Sequence, residues 1–148
     1  MYRHILIATD GSPLAEKAVS HGLSLAKSVG AKVTALIVEA PFNVDDVPES
    51  KVRPMSEAIE QHSEHTRQHA DRVLSQVADA AKAADVACEI VQIDHGQPYQ
   101  AIITAAKDKD CDVIVMASHG RSGISALLLG SVTHKVLTHT KIPVLVCR

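Results

Sequence analysis

The chain has no Trp, one Phe and two Tyr among its 148 residues, so aromatic rings cannot supply its core volume. That volume has to come from Ala, Val, Ile and Leu, as in helices laid closely on a sheet buried on both faces. Neither sign of charge dominates: 15 basic residues face 17 acidic ones, net −2, with no long run of one sign. Electrostatics therefore gives no reason to expect non-specific binding to nucleic acid or to a membrane surface. No apolar run approaches the length of a membrane span. Met1-Tyr-Arg-His-Ile-Leu-Ile7 leads straight into a strand pattern, which argues against a signal peptide. Cys88, Cys111 and Cys147 are odd in number and widely spaced, unlike a metal or redox motif. They are expected to be reduced, mostly buried small hydrophobes in a cytoplasmic protein. Three signatures of nucleotide or acyl chemistry are missing as well: Gly-x4-Gly-Lys-(Ser/Thr), Gly-x-Gly-x-x-Gly and Gly-x-Ser-x-Gly.

What is present is a regular alternation of strand and helix patterns. Ile5-Leu-Ile-Ala8 is wholly apolar and ends at Thr9-Asp10-Gly11-Ser12, as a central parallel strand emptying into a turn does. Ser12 is placed to cap a helix, with Pro13 at its first position and Glu16 in its first turn. Ala15, Ala18, Val19, Gly22, Leu25, Ala26 and Val29 then recur at helical spacing, and Gly30 stops the helix. Lys32 to Val38 forms a second strand pattern, and the polar, proline-bearing stretch from Glu39 to Arg53 reads as a mobile loop. From about Pro54 to Ala84 the pattern predicts a long helix. Its second half carries an apolar stripe (Ala70, Val73, Leu74, Val77, Ala80, Ala81, Ala84), and its first half, Ser56 to His69, is polar. His62, His65 and His69 lie at spacings that can bind zinc, yet nothing completes a coordination set, so a solvated polar face is the better reading.

A third strand over Ala87–Ile93 precedes a helix opened by Gly96-Gln97-Pro98, with Tyr99, Ile102, Ile103 and Ala106 inward. A fourth strand over Asp112–Ala117, a helix from Ser131 to His139 and a fifth strand over Ile142–Cys147 complete the order. Such alternation calls for a parallel sheet covered on both faces. Five strands with four crossovers fit an open, doubly wound α/β sheet forming one domain over 1–148. In such sheets the ligand sits beyond the strands' carboxyl ends, where the winding direction reverses.

One stretch organises the rest. The apolar run Val113–Ala117 opens into Ser118-His119-Gly120-Arg121-Ser122-Gly123, and Gly130-Ser131-Val132-Thr133 then begins a helix. A strand, a glycine-bearing loop and a helix N-terminus together suit phosphate. Glycine lets the backbone approach, and the first-turn N–H groups lack intrahelical partners. Asp10 could simply satisfy backbone N–H groups in its own turn, and Arg121 and His119 could be solvated loop residues. The spacing from Gly120 to Gly130-Ser131 favours the ligand reading.

On these residues the chain resembles the universal stress protein family over essentially its whole length. The likeness runs from Ile5-Leu-Ile-Ala-Thr-Asp-Gly-Ser12 to Gly130-Ser-Val-Thr133 and Pro143-Val-Leu-Val146. The family's nucleotide-binding members carry Gly-x2-Gly-x9-Gly-(Ser/Thr). Here the pattern aligns as Ala117-x2-Gly120-x9-Gly130-Ser131, with alanine in place of the first glycine. The resemblance implies an adenine-nucleotide alpha-hydrolase-like fold with strand order 3-2-1-4-5, and ATP as ligand, with or without Mg2+. It implies that Ala8, Thr9 and Val38 line the adenine side and that Asp10 meets the ribose hydroxyls. The backbone of Met116 and Ala117 would face adenine or ribose. His119, Gly120 and Arg121 would wrap the phosphates, and Gly130, Ser131, Val132 and Thr133 would donate hydrogen bonds to them.

The segment Ser118–Leu129 is the expected nucleotide-dependent switch for partner contacts. Its apolar part, Ile124–Leu129, should pack on the core or on a partner. Ile142–Cys147 should be an edge strand, with Pro143 tolerated at its start, and the resemblance implies a homodimer through antiparallel pairing of that strand with its twin. Phosphoryl transfer needs a metal site and a residue that positions the nucleophile. The only carboxylate well placed for that is Asp10, which makes this a binding site first. A slow ATP hydrolase and a nucleotide-free dimeric interaction module are the alternatives.

Overall fold

The computed structural model describes residues 1–41, 55–121 and 128–148, with the backbone alone for Met55. Most of the expected loop after the second strand, and residues 122–127 of the segment after the fourth, lie outside the described residues.

Strands β1 (His4–Ala8), β2 (Lys32–Glu39), β3 (Cys88–Asp94), β4 (Val113–Ala117) and β5 (Val144–Cys147) alternate with helices α1 (Pro13–Val29), α2 (Met55–Ala83), α3 (Pro98–Asp108) and α4 (Ser131–His139). They form one parallel sheet in the order β3-β2-β1-β4-β5, as expected. Strand β1 pairs with β2 on one side and β4 on the other, so the winding reverses beside it. Alternate side chains of the central strands go to opposite faces. Ile5, Ile7, Val33, Ala35, Ile37, Val113 and Val115 pack with α1 and α2. Leu6, Leu36, Ile114 and Met116 pack with α3 and with Val136 of α4.

Local signals set most boundaries. The Ser12 hydroxyl accepts from the Ala15 N–H, Pro13 opens α1, and Gly30 closes it in the left-handed conformation at φ 69°. Strand β5 begins two residues later than expected. Pro143 has no N–H to give, although its carbonyl accepts from Ile114 at 2.9 Å, so the ladder starts after it. The inner face of α1 differs from the expected stripe: Leu23 is buried, Leu25 is half-buried and Val29 is exposed. Ala80 of α2 is exposed, and Ala84, one residue beyond the helix, is half-buried. The amino-terminal end of the sheet is closed by His4, whose Nδ1–H donates to the Lys109 carbonyl (2.9 Å) while Nε2 accepts from the Thr34 hydroxyl (2.8 Å). Among the described residues no helix is long and apolar enough to cross a membrane.

Candidate functional site

At the carboxyl ends of β1 and β4, on the face that carries α3 and α4, the surface sinks into a cavity of about 570 Å³. Every site residue expected from the sequence lines it: Ala8, Thr9, Asp10, Val38, Met116, Ala117, His119, Gly120, Arg121, Gly130, Ser131, Val132 and Thr133. Sequence reasoning missed Ala15, Leu36, Pro98 and Ile102, which complete the apolar wall. Pro98 and Ile102 had a signal, since both sit at the start of the helix that follows a strand's carboxyl end. Leu128 and Leu129 were expected to pack on the core or on a partner. In the single chain they are 69% and 38% exposed and border the cavity. Gly123 and the run 124–127 fall outside the described residues.

Asp10 holds the two sides of the crevice together. Its Oδ1 accepts from the Ser12 N–H at 2.9 Å and its Oδ2 from the Arg121 N–H at 2.8 Å. The first bond is the local turn contact that the sequence allowed. The second ties the end of β1 to the loop after β4. Each carboxylate oxygen has two acceptor sites, so both oxygens can take one more donor. Gly120 is pressed against this carboxylate: a Cβ there would stand 2.7 Å from Asp10 Oδ2. A Cβ on Gly130 would stand 3.1 Å from the Ser118 carbonyl oxygen, to which the Gly130 N–H donates at 2.7 Å. Both positions bring backbone close to backbone or carboxylate, so a side chain at either would force its neighbour to shift.

Helix α4 starts at this floor. Gly130, its N-cap residue, makes no side-chain cap, so the first-turn N–H groups face the cavity mouth without an intrahelical partner. Thr133 differs from expectation: its hydroxyl, on a residue 3% exposed, donates to the Ala117 carbonyl at 2.8 Å. Only its N–H remains for a ligand. His119 Nδ1 meets the Ser118 hydroxyl at 3.0 Å, and its Nε2 is buried with no hydrogen-bond partner among the described residues. Arg121 pairs its guanidinium with Glu39, at 3.2 and 3.3 Å from the two carboxylate oxygens.

Glu39 and His69 are the polar neighbours that sequence reasoning missed. Glu39 closes an apolar strand and is 8% exposed. His69, expected on a solvated face, is half-buried instead. Its Nε2 donates to the Asp10 carbonyl oxygen (3.3 Å) and lies 3.8 Å from Glu39 Oε1. The available signal was helical phase, since His69 lies one turn before the buried Val73 and beside Ala70. His62 and His65 remain on the exposed part of α2.

Comparison with known proteins agrees with this architecture. The profile described as "Universal stress protein family" matches residues 1–148, and the chain belongs to that family. It is 31% identical over 148 residues to universal stress protein MJ0531 of Methanocaldococcus jannaschii, covering all of this chain and 83% of the relative. The solved structure of MJ0577 from the same organism superposes with a TM-score of 0.82 at 26% identity, covering 99% of this chain and 96% of that one. A universal stress protein solved in complex with cAMP gives a TM-score of 0.72 at 24% identity, over 99% and 97% of the two chains. The shared fold is the adenine-nucleotide alpha-hydrolase-like one, with strand order 3-2-1-4-5.

Proposed function

We propose that this chain binds an adenine nucleotide, ATP in the first instance, in the cavity between the ends of β1 and β4. The observation that carries the reading is the mixed lining of that one cavity. Apolar side chains from Ala8, Leu36, Val38, Ile102 and Met116 share it with Asp10 and with the first turn of α4. An aromatic base suits those side chains, ribose hydroxyls suit Asp10, and phosphate suits the unpaired first-turn N–H groups. The volume of about 570 Å³ lies within the ~300–1,000 Å³ usual for small-molecule sites. The close backbone approach at Gly120 and Gly130 fits a phosphate group. A relative in complex with cAMP supports the ligand class. Among the described residues Asp10 is the only carboxylate lining the cavity, and no cluster of three potential metal ligands is found, so Mg2+ would arrive on the phosphates.

The test is direct. Freshly purified protein is denatured and released nucleotide is sought by chromatography, and stripped protein is titrated with ATP, ADP and AMP by calorimetry. Heat of binding that Asp10→Ala weakens supports the proposal. No heat with any adenine nucleotide at millimolar dose would leave the nucleotide-free module in its place. Turnover of ATP, if any, should disappear in Asp10→Ala as well; turnover that survives unchanged marks a contaminant. The switch assigned to Ser118–Leu129 predicts different protease cleavage there with and without ATP.

A homodimer through β5 is part of the same proposal. Strand β5 lies at the sheet's edge, its outer side unpaired among the described residues, and Leu145 on it is 41% exposed. An apolar edge left bare invites pairing with a second copy in an isologous interface. Leu145→Lys should shift sedimentation from dimer to monomer, and a monomeric wild type would reject the interface.

A further inference from the structure

Arg121 is bound at both ends by carboxylates. Its backbone N–H is held by Asp10, and its guanidinium pairs with Glu39. Among the described residues that line the cavity, the charged or titratable ones are Asp10, His119 and Arg121. The one arginine facing a prospective phosphate is therefore already engaged. Glu39 does not line the cavity and is almost fully buried. Burying a carboxylate is costly unless it is paired. The described groups around it are Arg121 from the loop after β4, His69 from α2 and Asp10 from the turn after β1. On β3, Asp94 stands opposite it in register, and the next residue, His95, donates its backbone N–H to the Glu39 carbonyl at 3.0 Å.

We infer that Glu39 is a positioning residue for the phosphate end of this site: it holds Arg121 at the rim, and phosphates gain that guanidinium only by taking it from Glu39. The inference rests on the nucleotide reading above. When the guanidinium moves to phosphate, the buried carboxylate loses its partner at 3.2 Å, and that loss opposes phosphate binding. Adenosine, with no phosphate, has no reason to move Arg121. The advantage of phosphate-bearing ligands over adenosine should thus depend on Glu39.

The experiment is calorimetry on the full chain with ATP and adenosine as probes. Wild type is compared with Glu39→Gln and Arg121→Ala. In Glu39→Gln the ratio of ATP to adenosine affinity should rise roughly three- to tenfold. Using a ratio cancels any change in the folded fraction. Arg121→Ala should lose most of the preference for ATP. An unchanged ratio in Glu39→Gln overturns the inference while leaving nucleotide binding intact. Failure of both probes to bind wild type removes the nucleotide reading itself and this inference with it.

Discussion

Replacing Asp10 with Ala removes a side chain that joins the turn after β1 to the loop after β4. Two hydrogen bonds go with it, at 2.9 Å to the Ser12 N–H and 2.8 Å to the Arg121 N–H. The two losses differ. Arg121 is exposed, so water can take over its N–H, whereas Ser12 is 8% exposed and its N–H is left without a substitute. Hydrogen bonds to a charged group contribute about 1.5–3 kcal/mol each, with the solvated one at or below the low end, so the expected loss is about 2–4 kcal/mol. For a chain of this size that lowers Tm by roughly 5–15 °C. Thermal and urea unfolding of nucleotide-stripped protein, followed by circular dichroism, measures it. Asp10→Asn should fall between, because its amide carbonyl keeps one acceptor while its NH2 meets a donor. At a temperature where the variant stays folded, ATP affinity should drop about 10- to 100-fold, the worth of one hydrogen bond to a charged group. A stability loss under about 0.5 kcal/mol would refute the idea that Asp10 clasps the two halves.

Other outcomes follow from single contacts. Gly22→Ala puts a Cβ 2.5 Å from Ile7 Cδ1 and 2.8 Å from its Cγ1, in a core where Ile7 is fully buried. Overpacking of about 1–3 kcal/mol should outweigh the ~1 kcal/mol gain in helix propensity, so Tm falls instead of rising. His4 is held below the ordinary imidazole range by burial first and by Lys32 second, against the opposing pull of the Lys109 carbonyl, Asp112 and Glu89. The unfolded chain therefore binds the proton first on acidification. Wild type should lose stability relative to His4→Gln as pH drops below about 6.5, and equal slopes in urea melts would contradict this. Burial, and then Asp112, push the Cys111 thiol up to about 11. Iodoacetamide at about pH 8 should leave it unmodified until the chain unfolds, as read by mass spectrometry.

The architecture was legible because each element carries its own signal. Fully apolar strand runs, the Ser12-Pro13 start and Gly30 stop of α1, and strict alternation are local properties that demand a doubly wound parallel sheet. The site followed from the topology, since Asp10 and Gly120 end the two strands that flank the reversal, and both line the cavity. Which flank of a helix turns inward was less legible. Leu23 and Leu25 lie about 80° to either side of the α1 stripe at 100° per residue, so the sequence cannot choose between them. The cleft shared with Val73 and Val77 of α2 decides for Leu23.

The sequence by itself thus determined the order of elements, the sheet and the two strand ends that meet at the crevice, because those depend on periodicity and caps within a few residues. Only the tertiary structure decided that Asp10 bonds the Arg121 backbone across 111 residues and that His69 turns from an apparently solvated face to the Asp10 carbonyl. It also decided that Arg121 pairs with Glu39. Such contacts join charges on separate elements, and their distances exist only once packing has fixed where each helix crosses the sheet.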